Sequence, residues 1–388
     1  MNFYTTIENQ VREHGSRGLL YDHCDELNAA LAKYYTICAA AAVSDIPYHA
    51  AQAFNTWGEL NYICFAPKRA ISSFTVFFSP FFMPLLFLLA GMSTRYALMK
   101  RTYGQCIIER IKRLLVPFVF GTLVFCPILS YMGDVNNCAY EGGFFAHYIV
   151  FFTKWTDLSG FDGGFSVGQF WFLYFLFIIS LASVGIIALS NKMIKNRGKA
   201  EKLPFWAICL MVIPFPLLYG VLSVGGKSFA EYLYVFLIGY YVLSYDKVIE
   251  KAEKYRYTSL AIGLAASAAN VYMFIWSGKD YEAINLIAKS FAEWFMILAL
   301  IGIGKNRLDD KNSVSECMSQ RSFPYFSLHF LWIVLFQYWF ADIFSGNTVL
   351  LFLVPVICAF AATLLCSEIC LRIPALCFLM GTKSKRLK

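Results

Sequence analysis

The sequence predicts an all-α polytopic membrane protein with about ten transmembrane helices, on three observations. Hydrophobic residues make up 59% of the 388 and charged residues only 15%, against roughly 25% charged in soluble domains. The apolar residues fall in runs of about twenty, long enough to cross a hydrocarbon core of roughly 30 Å. The basic residues segregate to one side of the resulting hairpins, as the positive-inside rule requires.

Nine apolar segments are clear: 74–94, 114–132, 169–189, 205–224, 229–245, 258–277, 284–304, 323–344 and 348–371. A weaker tenth, 34–54, mixes Ala39–Val43 with Ser44, Asp45, Pro47 and His49. Orientation decides in its favour. With ten helices, 27 of the 33 Lys and Arg residues fall on the cytoplasmic side. Lys68, Arg69, Lys154, Lys227, Lys279 and Lys289 remain for the other. Both termini are then expected in the cytoplasm of a cell-membrane protein. The expected division is a polar N-terminal segment 1–33, a membrane domain 34–372 and a basic tail 373–388. The first 33 residues carry Glu8, Arg12, Glu13, Arg17, Asp22, Asp25 and Glu26 without an apolar core of signal type. The net charge of +8 is placed for orientation, so membrane lipids and no nucleic acid are the expected partners. The oligomeric state is open.

The long outer segment 133–168 carries Phe144, Phe145, His147, Tyr148, Phe151, Phe152 and Trp155, then Gly160, Gly163, Gly164 and Gly168. The aromatic part suits a short interfacial helix. The glycines suit either close approach of backbone to a ligand or a flexible loop. Most of the twelve cysteines sit in apolar runs as small buried hydrophobes. None has zinc or redox spacing, and no metal is expected. Cys64 and Cys138 both fall outside the cytoplasm, which leaves a disulfide between them open.

Ionisable groups inside a membrane are functional candidates by default. His49 lies in PYHA near the outer end of the weak first helix, and His329 in PYFSLHF early in the ninth. Each reads either as a general base or as a histidine satisfied within the bundle. Asp45 stands four residues before His49, on the same helical face, where a carboxylate could orient the ring. Pro47 lies between them and could instead break the helix, leaving both in outer water. Arg110 and Arg113 form an R-x-x-R pair near Arg95, Lys100 and Arg101. Such a pair suits a phosphate, or equally a lipid-facing anchor.

Several stretches resemble the acyltransferase 3 family of ten-helix membrane O-acyltransferases, and within it the glucan-modifying type. They are PYHAAQAFNTWGE at 47–59, FFMPLLFLLAGMSTRYALMKR at 81–101, ERIKRLLVPFVFG at 109–121, GGFSVGQFWFLYFLFIISL at 163–181 and SFPYFSLHFLWIV at 322–334. The likeness runs from about residue 47 to 372. It implies transfer of an acetyl or short acyl group from acyl-CoA, with acetyl-CoA the expected donor, to a hydroxyl of an exported carbohydrate or glycolipid. Arg110 and Arg113, with Arg95, would meet the donor phosphates. His49 would be the base, assisted by Asp45, and His329 matches a frequent family histidine. Trp57, Glu59, Gln169 and Trp171, in the matching stretches, are the expected acceptor contacts. Three positions depart from the family pattern. Cys38 stands where an arginine is usual, Gln169 replaces a histidine, and Phe330 replaces a common glutamine. The alternative function is a transporter or a catalytically degenerate member that handles a glycan.

Overall fold

The computed structural model describes residues 45–193, 199–307 and 313–382. The polar segment 1–33, most of the weak first helix with Cys38, and the last residues of the basic tail lie outside them. The fold is all-α, and among the described residues the sole sheet is a two-strand hairpin, Ser223–Val224 with Lys227–Ser228.

The helices in chain order are α1 (residues 45–52), α2 (Arg69–Lys100), α3 (Tyr103–Cys138), α4 (Phe144–Thr153), α5 (Gly168–Asn191), α6 (Phe205–Leu218), α7 (Phe229–Leu243), α8 (Asp246–Lys254), α9 (Arg256–Trp276), α10 (Glu282–Arg307), α11 (Ser313–Ala341), α12 (Thr348–Arg372) and α13 (Pro374–Leu379). Six of them are long and apolar enough to cross a membrane: α2, α3, α5, α9, α12 and, over Glu282–Lys305, α10. Each of the nine clear apolar segments contains helix. The segments 205–224 and 229–245 hold apolar helices shorter than the full spans expected, Phe205–Leu218 and Phe229–Leu243. Helix α6 stops at Leu218, and Pro214 and Pro216 fall within a stretch that alternates α and 3₁₀ turns. At 1.5 Å per residue it reaches only about 21 Å. Helix α11 is long enough, but Ser327, His329 and Gln337 interrupt its apolar surface.

Local chemistry sets several helix starts. Thr102 and Gln105 form a reciprocal capping box that reopens the chain into α3 after the break at Arg101. Ser228 caps α7 through the Glu231 amide, and Asn347 caps α12 through two amides. Pro374 opens α13, where a missing N–H costs nothing.

Helices α9 and α10, and α11 and α12, pack as hairpins, while α2 lies against α7 and α10. The contact between α2 and α7 is backbone to backbone. A Cβ at Gly91 would overlap the Phe236 carbonyl, and one at Gly239 would overlap the Leu88 carbonyl. Small residues let membrane helices approach this closely. Buried polar side chains tie the bundle further: Asn270 Nδ2 donates to Val76 O at 3.1 Å and Trp294 Nε1 to Ile208 O at 2.9 Å.

The aromatic half of segment 133–168 forms the short helix α4. The glycine half is packed rather than open. Tyr62 Oη donates to Ser159 O at 2.9 Å, and Asn137 Nδ2 to both Asn61 O and Phe161 O at 2.8 Å. Gly163, at φ +85°, lies so close to Asp134 that a Cβ would overlap its carboxyl group. Cys64 and Cys138 are both free and exposed, so the disulfide left open by the sequence is not formed.

Candidate functional site

Helix α1 runs through Pro47 to residue 52. Ile46 and Ala50 pack with Tyr325 and Ile333 of α11 and Ala359 of α12. Gln337 Nε2 donates to Ala50 O at 3.0 Å, satisfying a last-turn carbonyl with no partner inside the helix. Phe65 N donates to Ala53 O at 2.8 Å, and Ser72 Oγ to Phe54 O at 3.0 Å, pinning the end of α1 to the start of α2.

This seating buries Asp45, 2% exposed, and brings α1 to His329, 0% exposed. The His49 and His329 rings are 5.3 Å apart between centroids. A ring nitrogen of each and an oxygen of Asp45 lie within 4.8 Å of one another. The imidazole protons are positioned by oxygens. His329 Nδ1 is 2.7 Å from Phe326 O, a carbonyl that can only accept, so Nδ1 carries the proton and Nε2 the lone pair. His49 Nδ1 is 3.1 Å from Gln52 Oε1, which leaves its Nε2 as the lone pair in the same way. The orienting partner of His49 is thus Gln52, three residues on, while Asp45 stands close by with Oδ1 unpartnered. His329 Nε2 and the Tyr325 hydroxyl are also buried without a partner. Phe330 covers His49 at 4.5 Å, and Tyr48 stacks on Phe82 of α2 at 5.8 Å.

The basic residues lie at the far end of α2. Thr94, which accepts a 2.7 Å hydrogen bond from Arg110 Nη2, is about 18 Å along the helix from Phe82 at 1.5 Å per residue. Arg113 instead pairs with Glu109 at 3.3 Å and is 43% exposed. The two guanidinium groups take different hydrogen-bonding partners, Thr94 for Arg110 and Glu109 for Arg113, while Arg110 still feels the charges of Glu109 and Arg113; Ile111–Leu115 forms a π-helical turn. Arg95 lies over the Tyr245 ring at 3.9 Å.

The expected acceptor contacts divide between two places. Gln169 is 4% exposed, and its Nε2 donates to Ser327 O at 3.2 Å, two residues from His329, while its Oε1 has no partner. Trp57 Nε1 donates to Glu59 Oε2 at 2.9 Å. Glu59 acts electrostatically on Lys227, whose ammonium lies 4.7 Å over the Trp171 ring. Burial in the hairpin pushes Lys227 below the usual lysine value, and Glu59 opposes that shift.

The acyltransferase domain family matches residues 41–372, most of the chain and every site residue named in this subsection. The chain belongs to the acyltransferase 3 family. This membrane acyltransferase, which transfers groups other than amino-acyl groups, matches no curated protein and no solved structure. Gln52 was missed in the sequence, although its position in the last turn of α1 is the signal that could have found it. Glu231 of α7 and Glu293 of α10 were missed as well. They are 6% and 2% exposed and within hydrogen-bonding reach of each other. As carboxylates within apolar segments they met the same criterion that selected the histidines.

Proposed function

We propose that the enzyme moves an acetyl or short acyl group from acyl-CoA to a hydroxyl of a carbohydrate or glycolipid, with His49 as the general base. The observation that carries this reading is the convergence of half-buried His49 with buried Asp45 and His329, with the His49 proton held on Nδ1 by Gln52. Nε2 takes the acceptor hydroxyl proton as the oxygen attacks the thioester carbonyl. Collapse of the tetrahedral intermediate expels the CoA thiolate, which recovers that proton, so an ester and a free thiol replace an alcohol and a thioester. His329 and Asp45 supply the polar surroundings in which the imidazolium forms. Gln169, with a free amide oxygen beside the His329 helix, and the Trp57–Glu59–Lys227–Trp171 group are the acceptor contacts. The indole faces suit the apolar face of a sugar ring and the charged groups its hydroxyls.

A linear donor accounts for the separation between the arginines and the histidines. Phosphates held near Arg110, Arg95 and Arg113 leave an extended arm to run along α2 toward His49. Both termini and the basic loops then lie in the cytoplasm, with segment 133–168 on the opposite side.

Purified protein in lipid nanodiscs, supplied with acetyl-CoA and a candidate glycan, should release free CoA thiol only when acceptor is present. Folded protein that turns over no short acyl-CoA with any hydroxyl acceptor overturns the reading.

A further inference from the structure

We propose that Asp45, His49 and His329 form a three-ligand site for a divalent transition-metal ion of the zinc class, and that occupancy switches the acyltransferase off. The geometry has the chemistry of such a site. Two imidazoles and one carboxylate favour zinc-like ions over magnesium or calcium, which prefer all-oxygen ligands. The outer ring nitrogens are already committed, Nδ1 of His329 to the Phe326 carbonyl and Nδ1 of His49 to Gln52. Metal-binding histidines carry this arrangement, because a proton fixed on one nitrogen leaves the other free as a ligand. Among the described residues His329 Nε2 and Asp45 Oδ1 are buried without a hydrogen-bond partner, on residues that are 0% and 2% exposed. An unsatisfied carboxylate oxygen and an unsatisfied ring nitrogen so deep in the protein are costly unless something binds them.

One ring nitrogen of each histidine and one oxygen of Asp45 lie within 4.8 Å of one another. Metal–ligand bonds of 2.0–2.2 Å in a tetrahedral site bring donors to about 3.4 Å. Side-chain rotations of about an ångström therefore close the site, with the fourth position left to water. His49 and Asp45 come from one turn of α1 and His329 from α11, so no spacing motif announces the group. This revises the expectation of no metal, which rested on cysteine spacing alone.

The inhibitory consequence rests on the proposed role of His49. An ion on Nε2 occupies the lone pair that accepts the acceptor's proton. Binding itself does not depend on that role, and the two are tested separately.

Metal-stripped full-length protein in detergent is titrated with Co²⁺, a spectroscopic substitute for zinc, and its visible absorption is followed. The expected result is one ion per chain with the intense bands of a tetrahedral site, displaced by Zn²⁺. The bands should vanish in His329→Gln and Asp45→Asn, both judged folded by size-exclusion profile and thermal melting. Absence of stoichiometric Co²⁺ binding to the parent overturns the site without recourse to any variant, as does a spectrum unchanged in both variants. Acyl transfer should fall at least tenfold with one equivalent of Zn²⁺ and return with EDTA. An ion that binds at these residues without slowing transfer overturns the switch, and with it the role of His49 as base.

Discussion

At the residue scale, His49 and His329 share one feature: each ring has an oxygen at Nδ1 that leaves Nε2 as the acceptor. That arrangement leaves each Nε2 able to accept a proton, and the proposed mechanism then separates the two halves of the reaction by residue. His49→Ala should lower acyl transfer by about 10²–10⁴-fold, the range for loss of a general base, while donor binding stays near the parental level. Arg110→Ala should do the reverse, weakening donor binding by about 1.5–3 kcal/mol as for a charge-assisted contact, with a smaller effect on the chemical step. Arg113→Ala should weaken binding less, since Arg113 is 43% exposed and paired with Glu109. Steady-state rates together with equilibrium binding of a non-hydrolysable acyl-CoA analogue check both. His49→Ala protein that still acylates at the parental rate removes His49 from the mechanism.

At the element scale, the site depends on how closely α2 approaches α7, since α2 runs from Phe82 beside Tyr48 to Thr94 beneath Arg110. Gly91 and Gly239 set that approach, and what a side chain would meet there is backbone, which cannot move aside. Gly91→Ala and Gly239→Ala should each destabilise the protein by about 1–3 kcal/mol, the usual cost of overpacking. Gly185→Ala in α5, where a Cβ meets nothing within 4 Å, should be neutral or slightly stabilising. Thermal melting of the three purified variants distinguishes them. The glycine loop after α4 makes a separate prediction. Burial would raise the Asp162 carboxyl, but the Gly164 amide, the Thr156 hydroxyl and Lys154 outweigh it and hold the group below the usual aspartate value. A depressed carboxylate contributes stability that is present above its unfolded pKa and lost as pH falls through the folded one. Hydrogen exchange at Gly164 should therefore accelerate as pH drops below about 4, after correction for intrinsic exchange. Asp162→Asn should remove that acid dependence.

At the scale of the whole molecule, orientation follows from charge. The 27-to-6 division of basic residues predicts that the arginine end of α2 and α3 faces the cytoplasm, where acyl-CoA is made, and the α4 loop the other side. Cys64 and Cys138 are free and exposed, which makes them native reporters. A membrane-impermeant maleimide added to intact cells should label both, and the labelling should disappear in the Cys64→Ser, Cys138→Ser double variant. Labelling that occurs only after the membrane is opened would invert the topology. In that event donor and acceptor would have to exchange sides, and the route along α2 would lose its basis.

The sequence by itself determined the membrane class, the approximate limits of most helices, the segregation of the basic residues along the chain and the identity of the ionisable candidates. These are local properties. A run of apolar residues reports its own length, and a histidine in such a run is costly whatever its neighbours. Only the tertiary structure decided which candidates meet. His49 and His329 come from opposite ends of the chain and lie side by side, 5.3 Å between ring centroids, because Ile46 and Ala50 seat α1 on Tyr325 and Ile333. Gln52 became the ring partner of His49 although Asp45 had equally good helical spacing, because the ring rotamer is set by packing against Phe330 and His329. Arg110 and Arg113 took different hydrogen-bonding partners, Thr94 and Glu109, a choice no i,i+3 rule can read. Helix α6 fell short of a span because its hydropathy continues past Leu218 while its hydrogen bonding does not. Hydropathy is a sum over neighbours in sequence, whereas a site is a coincidence of side chains whose positions depend on every helix packed around them.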